Sequence, residues 1–324
     1  MQISLLIVSF NGLSHLRPCL ETLLPQLSSE DQVVLVDNGS TDGTEKYLQA
    51  LGNAAIRYIR LERNAGFAEG NNVGAAQARG DWLFLLNNDT LCDPHLLAEL
   101  KESIKSHPEF KIFACRMVRI SDGRIDNKGI RVTTLLRAAQ IGTGEEVRPE
   151  QPFEVFGASG GAMVVHRSVV EDIGLFEPEF FAYQEDVDFA IRARLAGYRC
   201  LYLPAAVIHH KGGGTSSKNR RFLLYYLQRN MELAILRNIP GSIAWKYLPG
   251  HLAYSAFQVT RCLLRGEGGT VIRAKRDALR LWKQREWSSP PIRIPLKRFE
   301  RFLDGDFGPM SSTSHTVPQR VPQD

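Results

Sequence analysis

The most constraining feature of this sequence is an alternation of short apolar runs, rich in β-branched residues, with longer stretches of helical spacing. The first two runs are residues 3–9 (ISLLIVS) and 33–37 (VVLVD), and two more lie at 56–61 and 82–86. Each run is followed by a polar turn, and this rhythm is typical of βαβ units. The sequence therefore predicts an α/β fold with a mostly parallel, doubly wound sheet.

The rest of the chain extends this pattern and then changes character. A Gly-rich, polar stretch over 121–151 predicts irregular structure with an edge hairpin. The further predicted elements are helices over 70–78, 94–106, 168–173, 186–196 and 222–236, and strands over 112–118, 156–166 and 198–203; a longer, interrupted apolar stretch follows over 243–264. We divide the chain into a main domain at 1–235, a basic, amphipathic helical extension at 236–305 and a disordered tail at 306–324.

Composition excludes several classes of protein. Hydrophobic residues make up 44% and charged residues 23% of the chain, which is ordinary for a globular protein and unlike a disordered or polytopic membrane chain. The stretch 243–264 does not predict a membrane span, because Lys246, Pro249 and His251 interrupt it and about 20 continuous apolar residues are needed. Five scattered cysteines without a C-x-x-C pair favour a reducing compartment.

The first residues also bear on the compartment. The opening apolar run has the length of a strand, and it lacks the basic region and cleavage site of a signal peptide. We therefore expect a cytoplasmic protein.

Two strands are predicted to end in polar clusters. Asp37 follows the second strand, and a carboxylate at the carboxyl end of a parallel strand faces the crevice where such sheets bind ligands. Asn87, Asn88 and Asp89 follow the fourth strand and offer hard oxygen ligands to a divalent cation. Both clusters are also ordinary turn chemistry. The first strand has no G-x-G-x-x-G sequence after it, which argues against a dinucleotide cofactor.

Two further clusters occur in the second half of the main domain. Glu185, Asp186 and Asp188 open a predicted helix behind an aromatic patch, where they either stabilise the helix dipole or supply a general base of raised pKa. His209 and His210 end a strand before a glycine-rich loop, where one imidazole completes a metal site or both are structural.

Taken in order, these segments resemble the family 2 glycosyltransferases of the GT-A fold, particularly the bacterial rhamnosyltransferase-like branch. The resemblance covers about residues 1–235. It is carried by VSFNG, VDNGSTDGT, NAGFAEGNNVGAAQARGDWLFLLNNDT, GASGGAMVVHRSVVEDIGLFEPEFFAYQEDVDFAIRARLAGY and HHKGGG. The resemblance implies a transferase domain that moves a sugar from a nucleotide-diphospho-sugar to an acceptor hydroxyl, with inversion at the anomeric carbon.

The resemblance also implies roles for individual residues. Glu185 and Asp186 match the E-D motif, with Asp186 as the base, and Asp89 matches the metal-binding carboxylate of the D-x-D motif. His209 matches a histidine that completes the Mg²⁺ or Mn²⁺ shell in some relatives. The positions that match nucleotide-sugar-binding residues, or lie where such residues act, are Ser9, Asn11, Asp37, Asn64, Asn88, Asp89, Gly160 and Arg229.

One position departs from the family pattern. Asn87 stands at the first position of D-x-D, so one carboxylate is missing and metal dependence is less certain than in a full site. No Q-x-x-R-W sequence is present either; Arg229, in YYLQRN, is our candidate for a cation that reaches the diphosphate.

The sequence leaves three functions open. The first is a glycosyltransferase acting in cell-surface polysaccharide synthesis, with a dTDP- or UDP-sugar donor, rhamnose as the first candidate, and a glycan or lipid-linked acceptor. The second is a non-catalytic nucleotide-sugar-binding protein, suggested by Asn87. The third is a nucleic-acid-binding protein, suggested by the basic segment after residue 265, although no recognition motif accompanies it.

The basic segment has a different predicted partner. Its charge equally suits anionic lipid headgroups. We expect no nucleic-acid partner, and we expect residues 243–301 either to contact the inner face of the cytoplasmic membrane or to pack on the main domain with a solvated basic face.

Overall fold

The computed structural model describes residues 1–212, 219–287 and 290–307. In these residues, ten strands form one mixed sheet and two form a separate hairpin. The strands are β1 (Ile3–Ser9), β2 (Gln32–Asp37), β3 (Ile56–Arg60), β4 (Trp82–Leu86), β5 (Thr90–Cys92), β6 (Ile112–Arg119), β7 (Ile125–Asn127), β8 (Ile130–Val132), β9 (Ala138–Gln140), β10 (Phe153–Val155), β11 (Ala162–His166) and β12 (Cys200–His210).

Helices cover both faces of the sheet and continue beyond it. Those in the described residues are α1 (Leu13–Leu23), α2 (Thr44–Leu51), α3 (Gly66–Gln77), α4 (Leu96–Ser106), α5 (Arg167–Ile173), α6 (Glu185–Leu195), α7 (Arg220–Asn238), α8 (Gly241–Leu263), α9 (Gly268–Gln284) and α10 (Leu296–Leu303).

The strand order places the first βαβ units at one end of the sheet, with β3 at its edge. The order is β10-β12-β6-β11-β4-β1-β2-β3, with β5 paired to β12 and β7 to β6. β3, β2, β1 and β4 are parallel, whereas β11 runs antiparallel to both β4 and β6. The parallel half confirms the prediction, and it brings the carboxyl ends of β1, β2 and β4 to one edge.

Side chains of the central strands alternate between two cores. Leu5 and Val33 belong to the core on one face of the sheet, and Leu6 and Val34 belong to the core on the other. This is why these strands read as continuous apolar runs: parallel strands covered on both faces bury every residue.

Helix α3 lies unusually close to the sheet because it carries glycine where it crosses β1. A Cβ atom on Gly70 would lie 2.7 Å from Cγ1 of Val8, which is closer than van der Waals contact allows. The missing side chain therefore sets the spacing between α3 and the strand that leads into the polar edge.

Two predicted strands have different bounds in the structure. Only the second half of the predicted strand 156–166 is a strand, β11, because the glycine-containing segment 156–161, which follows β10, leaves the sheet. The predicted strand 198–203 continues to His210 across a register irregularity after Leu203. The hairpin predicted within 121–151 is formed by β8 and β9. Of the disordered tail predicted at 306–324, Asp306 and Phe307 are described and contact α10, where Asp306 accepts from Arg301 and Phe307 stacks on Phe302; residues 308–324 lie outside the described residues.

The C-terminal helices pack into the same core as the sheet. The rings of Phe299 and Phe156 lie 6.1 Å apart, and Phe302 and Leu303 are buried with them. The fully buried carboxylate of Asp188 on α6 accepts hydrogen bonds from Arg237 and Asn238 on α7. The helical extension predicted at 236–305 therefore shares a core with the main domain. None of the described helices is long and apolar enough to cross a membrane.

Candidate active site

A cavity of about 810 Å³ opens at the carboxyl edge of the parallel strands. This is where open α/β sheets bind ligands, because loops from neighbouring strands diverge there. Several predicted residues contribute to its lining: Asn64, Asn87, Asn88, Asp89, Glu185 and Asp186. The structure thus brings together residues that are up to 122 positions apart in the sequence, from Asn64 to Asp186.

Two of the predicted nucleotide-binding residues support this edge without lining the cavity. Ser9 is buried and its hydroxyl accepts a hydrogen bond from the amide of Asn88 at 2.9 Å. The side-chain oxygen of Asn11 accepts from the backbone N–H of Thr41 at 2.8 Å. These bonds join the turns after β1, β2 and β4, so Ser9 and Asn11 shape the edge of the sheet.

Asp37 also lies outside the cavity lining. It is fully buried, and its carboxylate accepts hydrogen bonds from the backbone N–H of Ser40, the hydroxyl of Tyr58 and the guanidinium of Arg60. The neighbouring Asn38 and Phe10 line the cavity instead. The sequence did not indicate Asn38 or Phe10 as cavity residues. The path of the turn decides which of two adjacent residues faces a crevice, and a sequence pattern does not show that path.

Asn64 lies in a loop that packs against the aromatic segment before α6. Its side-chain oxygen accepts from the backbone N–H of Gly66 at 2.9 Å. Gly66 has φ +93°, and a Cβ atom there would lie 2.4 Å from the carbonyl oxygen of Phe181. Glycine is therefore required at this contact, for its conformation and for the close approach.

Asp89 faces a histidine that is held by a second carboxylate. Nε2 of His210 lies 3.3 Å from Oδ1 of Asp89, and its Nδ1 lies 2.7 Å from Oδ2 of Asp126. Burial lowers the pKa of His210, but the two carboxylates raise it more, to about 9. The same contact with His210 holds the pKa of Asp89 below its ordinary value despite burial.

The histidine beside Asp89 is His210, whereas the sequence analysis had assigned this role to His209. Successive residues of a strand point to opposite faces, so only one of the pair can face the cavity, and His210 lines it. The spacing of the motif cannot decide between two adjacent histidines. The register of β12 against β5, in which His210 is opposite Thr90, decides it.

These groups fit part of a divalent metal site. Asp89 offers carboxylate oxygens, which suit Mg²⁺ and Mn²⁺, and His210 offers an imidazole nitrogen that can bind a metal once its proton is released. Asp126 would orient the imidazole from behind, as carboxylates do at many metal centres. In the described part of the chain, no three His, Cys, Asp or Glu side chains form a complete metal-binding group, so the remaining ligands would come from a bound diphosphate or water.

The paired carboxylates at the start of α6 have different environments. Asp186 accepts hydrogen bonds from the backbone N–H groups of Gly160 at 3.0 Å and Val187 at 2.8 Å. Oε2 of Glu185 is buried and has no hydrogen-bond partner among the described residues. Backbone donors stabilise the ionised form of a carboxylate, whereas burial without a donor favours the protonated form.

The two pKa values follow from these environments. Burial, and then the charge of Asp186, raise the pKa of Glu185 well above its ordinary value. Burial also raises the pKa of Asp186, but the N–H groups of Gly160 and Val187 oppose the shift. Asp186 is therefore the member of the pair that loses its proton first.

The backbone before this pair is strained. Phe181, Tyr183 and Gln184 have positive φ angles of 61°, 70° and 66°, which cost residues with a Cβ atom about 1 kcal/mol or more each. Such a conformation persists only where the surrounding structure holds it in place.

A buried amide on α7 provides that support. Nδ2 of Asn230 donates to the carbonyl oxygens of Phe180, Ala182 and Tyr183 at 2.8, 2.9 and 2.6 Å. The guanidinium of Arg229 donates to Oδ1 of Asn230 at 2.8 Å and to the carbonyl of Phe180 at 3.2 Å. We call Arg229 and Asn230 the α7 clamp.

This arrangement differs from the prediction for Arg229. The side chain is buried, its donors are used by the loop, and it does not line the cavity, so it holds the loop before Asp186 instead of facing a diphosphate. Asn230 was missed by the sequence analysis, because its partners are backbone carbonyl groups that leave no signature in side-chain spacing.

The chain matches the family model described as glycosyl transferase family 2 over residues 4–174, which is more than half of its 324 residues. It is similar to the N-acetylglucosaminyl-diphospho-decaprenol L-rhamnosyltransferase of Mycobacterium tuberculosis, with 27% identity over 224 residues, 60% of this chain and 72% of that protein. It is also similar to the poly-beta-1,6-N-acetyl-D-glucosamine synthase of Staphylococcus aureus, with 24% identity over 63% of this chain and 48% of that protein.

Solved structures share the fold. GalNAc-T7 with UDP, GalNAc and Mn²⁺ has a TM-score of 0.61 at 16% identity, covering 86% of this chain and 54% of that one. TarS 1–349 of S. aureus in complex with UDP-GlcNAc has a TM-score of 0.57 at 17% identity, covering 88% of this chain and 92% of that one. These likenesses confirm the predicted GT-A-like α/β fold.

We expect Glu185→Gln to change how stability depends on pH. The folded protein keeps the Glu185 proton above pH 4.5, the ordinary pKa at which the unfolded chain releases it, so the free energy of unfolding falls as pH rises. The amide cannot ionise, so urea denaturation should show the variant gaining stability relative to the unmodified protein between about pH 5 and pH 8. The exposed Glu171→Gln is the control, and an equal pH dependence in all three proteins would contradict the buried protonated Glu185.

We expect Asn230→Asp to destabilise the protein by about 2 kcal/mol or more, because a carboxylate would face three carbonyl oxygens without a donor to give them. Urea denaturation measures this loss. The control is Asn53→Asp. Asn53 only accepts a hydrogen bond from the backbone N–H of Ala55, and an aspartate can accept the same bond. Equal stability of the two variants would show that the α7 clamp does not hold the loop.

Proposed function

Because the chain belongs to glycosyl transferase family 2, in its rhamnosyltransferase-like branch, we propose that it transfers a sugar from a nucleotide-diphospho-sugar to a hydroxyl group of a glycan or lipid-linked acceptor. The reaction inverts the anomeric carbon and serves the synthesis of cell-surface polysaccharide. The observation that carries the proposal is the pairing of Asp186 and Asp89 in one cavity at the carboxyl edge of a GT-A-like sheet.

Asp186 is the proposed base. Its carboxylate is fixed by two backbone N–H groups and lines the cavity. It takes the proton of the acceptor hydroxyl as that oxygen bonds to the anomeric carbon. The bond between the anomeric carbon and the diphosphate oxygen breaks, and the nucleoside diphosphate leaves with the electron pair. A positioned base of this kind accelerates such a step by about 10²–10⁴-fold.

Glu185 stays protonated beside the base in this proposal. Its burial and the charge of Asp186 both oppose its ionisation, so it does not compete for the proton of the acceptor. Because the carboxyl group of Glu185 is neutral, the pair carries a single negative charge, and this limits the rise in the pKa of Asp186.

The leaving diphosphate requires positive charge. In the described lining of the cavity there is no lysine or arginine, so we assign this task to a divalent ion. Asp89, the diphosphate and His210, once its Nε2 proton is released, would hold Mg²⁺ or Mn²⁺. When bound, the ion neutralises the negative charge that develops on the leaving phosphate oxygen.

The binding of the nucleotide is proposed at the side of the cavity nearest β1 and β2. Asn64 and Asn88 line it there, whereas Ser9, Asn11 and Asp37 shape the turns beneath. Gly160 is proposed to let the sugar approach the backbone beside Asp186. We assign these roles to the transferase domain at 1–235, with 236–305 as an extension that packs against it.

The proposal is tested with a panel of dTDP- and UDP-sugars, including dTDP-rhamnose, with Mg²⁺, Mn²⁺ or neither. We expect Asp186→Asn to bind the donor normally and to lower turnover by about 10²-fold or more. Glu185→Gln, which resembles the protonated side chain, should keep turnover within about tenfold. Asp89→Ala should weaken donor binding, because it removes the carboxylate at the diphosphate.

Two outcomes would contradict the transferase. If no nucleotide-sugar binds under any metal condition, the transferase proposal is wrong, and so is the alternative of a non-catalytic nucleotide-sugar-binding protein. If a donor binds but turnover is undetectable in the unmodified protein, with every acceptor and with water, the non-catalytic alternative holds.

We also propose that α8 and α9 contact an anionic lipid surface at the inner face of the cytoplasmic membrane. α8 exposes Trp245, Leu252 and Phe257, whose exposed fractions are 76%, 57% and 58%, and α9 exposes Arg273, Arg276, Arg280 and Lys283. Apolar side chains beside basic ones are the usual design of an interfacial helix.

Vesicle sedimentation tests this contact with the full chain. Trp245→Ser combined with Phe257→Ser should reduce partition into phosphatidylglycerol vesicles by about tenfold or more, since each buried apolar side chain contributes about 1.5–3 kcal/mol. Ile120→Ser, which removes an exposed apolar residue from the turn after β6, should not. Equal partition of the two variants would contradict the membrane contact.

A further inference from the structure

A second cavity, of about 240 Å³, adjoins the first one. Ala138, Gln184 and Leu227 line both cavities. We call the smaller cavity the side pocket. Its wall consists of the β8–β9 hairpin and the helices α7, α8 and α9. Most of this wall lies beyond residue 174, where the match to the family model ends, so the side pocket is built largely from the C-terminal helices.

The side pocket contains an arginine whose charge is not compensated. Arg137 is half-buried, and its guanidinium stacks over the ring of Tyr254 at 4.0 Å. Among the described residues, no oxygen accepts a hydrogen bond from this guanidinium and no carboxylate forms an ion pair with it. Stacking fixes the plane of the group and leaves its N–H donors directed along its edge.

The carboxylate in the same pocket is already engaged. Glu232 accepts from Nε2 of His251 at 2.9 Å and from Nζ of Lys275, and Lys275 also donates to the hydroxyl of Ser255 at 3.1 Å. These two cationic partners hold the pKa of Glu232 down at about 2 despite its burial. Glu232 therefore forms its direct contacts with His251 and Lys275 and acts on Arg137 only at longer range, and the pocket as a whole is positive.

The position of Arg137 is imposed by the fold. Leu136, the residue before it, has φ +51°, and the hairpin tip is tied to α8 where Nδ1 of His251 donates to the carbonyl of Leu135 at 3.1 Å. The strained turn and this contact together direct Arg137 toward α8. An exposed arginine of the same hairpin, Arg131, has no such constraint.

The wall between the two cavities carries an unused acceptor. Oε1 of Gln184 is buried without a hydrogen-bond partner among the described residues. Gln184 directly precedes Glu185 and Asp186, so a molecule that extends from Asp186 into the side pocket passes this oxygen. A sugar hydroxyl is the kind of donor that would satisfy it.

We propose that the side pocket binds the phosphate or diphosphate group of an anionic acceptor whose sugar hydroxyl faces Asp186. This inference rests on the proposed function and names its acceptor class. Arg137 binds the phosphate oxygens with paired donors, Lys275 and Gln258 complete the site, and Gln184 contacts the acceptor sugar between the two cavities. The lipid part of such an acceptor leaves past the exposed Leu135 and Leu252.

The test is titration calorimetry of the full chain with geranyl diphosphate, with the donor cavity saturated by the nucleoside diphosphate that binds most tightly. We expect Arg137→Gln to weaken binding about tenfold or more, which is the loss of one charge-assisted hydrogen-bond pair. Arg131→Gln, on the same hairpin, should bind within twofold of the unmodified protein. Gln258→Glu, which adds a negative charge to the pocket and keeps Arg137, should also bind about tenfold more weakly.

A second arm separates an acceptor diphosphate from a membrane headgroup. Dioctanoyl phosphatidylglycerol should bind at least tenfold more weakly than geranyl diphosphate, because its phosphodiester offers fewer charged oxygens to Arg137. Equal affinity for the two would identify a headgroup site and overturn the acceptor assignment.

The remaining outcomes are also decisive. If geranyl diphosphate does not bind, or binds Arg137→Gln and Arg131→Gln equally while a donor still binds, this inference fails and the proposed function stands. If no donor nucleotide binds, the proposed function fails and the acceptor assignment fails with it. Should Arg137→Gln not fold, Gln258→Glu carries the same comparison.

Discussion

The α7 clamp is the interaction on which the geometry of the site depends. Three residues before Glu185 and Asp186 adopt positive φ angles, and the carbonyl groups of that segment bind the buried amide of Asn230. The segment also touches Gly66, so its position fixes the loop after β3 as well. One buried side chain thus sets the distance between the paired carboxylates and the edge of the sheet, and it does so from a helix beyond the family match.

The site combines two contrasting ways of holding charge. Asp186 remains ionised most easily because backbone donors face it, and Glu185 remains neutral because it is buried and its Oε2 has no donor among the described residues. Asp89 is paired with His210, which a second carboxylate orients. The lining of the cavity therefore includes both a proton acceptor and a compensated anionic site. Transfer of a sugar from a diphosphate needs both kinds of group, because the acceptor hydroxyl loses a proton while the leaving phosphates gain charge.

The fold could be predicted from the sequence further than the site could. The apolar runs predict β1, β2 and β4 well, because strands that are covered on both faces are continuously apolar. The strand predicted at 156–166 begins only at Ala162, because the glycines before it form contacts with Asn87 and Asp186 and not with the sheet. Asp89, Glu185 and Asp186 were found because carboxylates at strand and helix ends are visible in a sequence. His210, Asn230 and Arg137 were not assigned, since their roles depend on strand register, on backbone carbonyls and on a hairpin turn.

The central claim is inverting transfer from a nucleotide-diphospho-sugar with Asp186 as base, and the early hydrolysis of a bound donor tests it most directly. Proton NMR follows the anomer of the sugar that is released first, before mutarotation, with water in place of the acceptor. A single displacement predicts that the first product has the anomeric configuration opposite to that of the donor. Release of the sugar with the configuration of the donor would contradict a single displacement and the role given to Asp186.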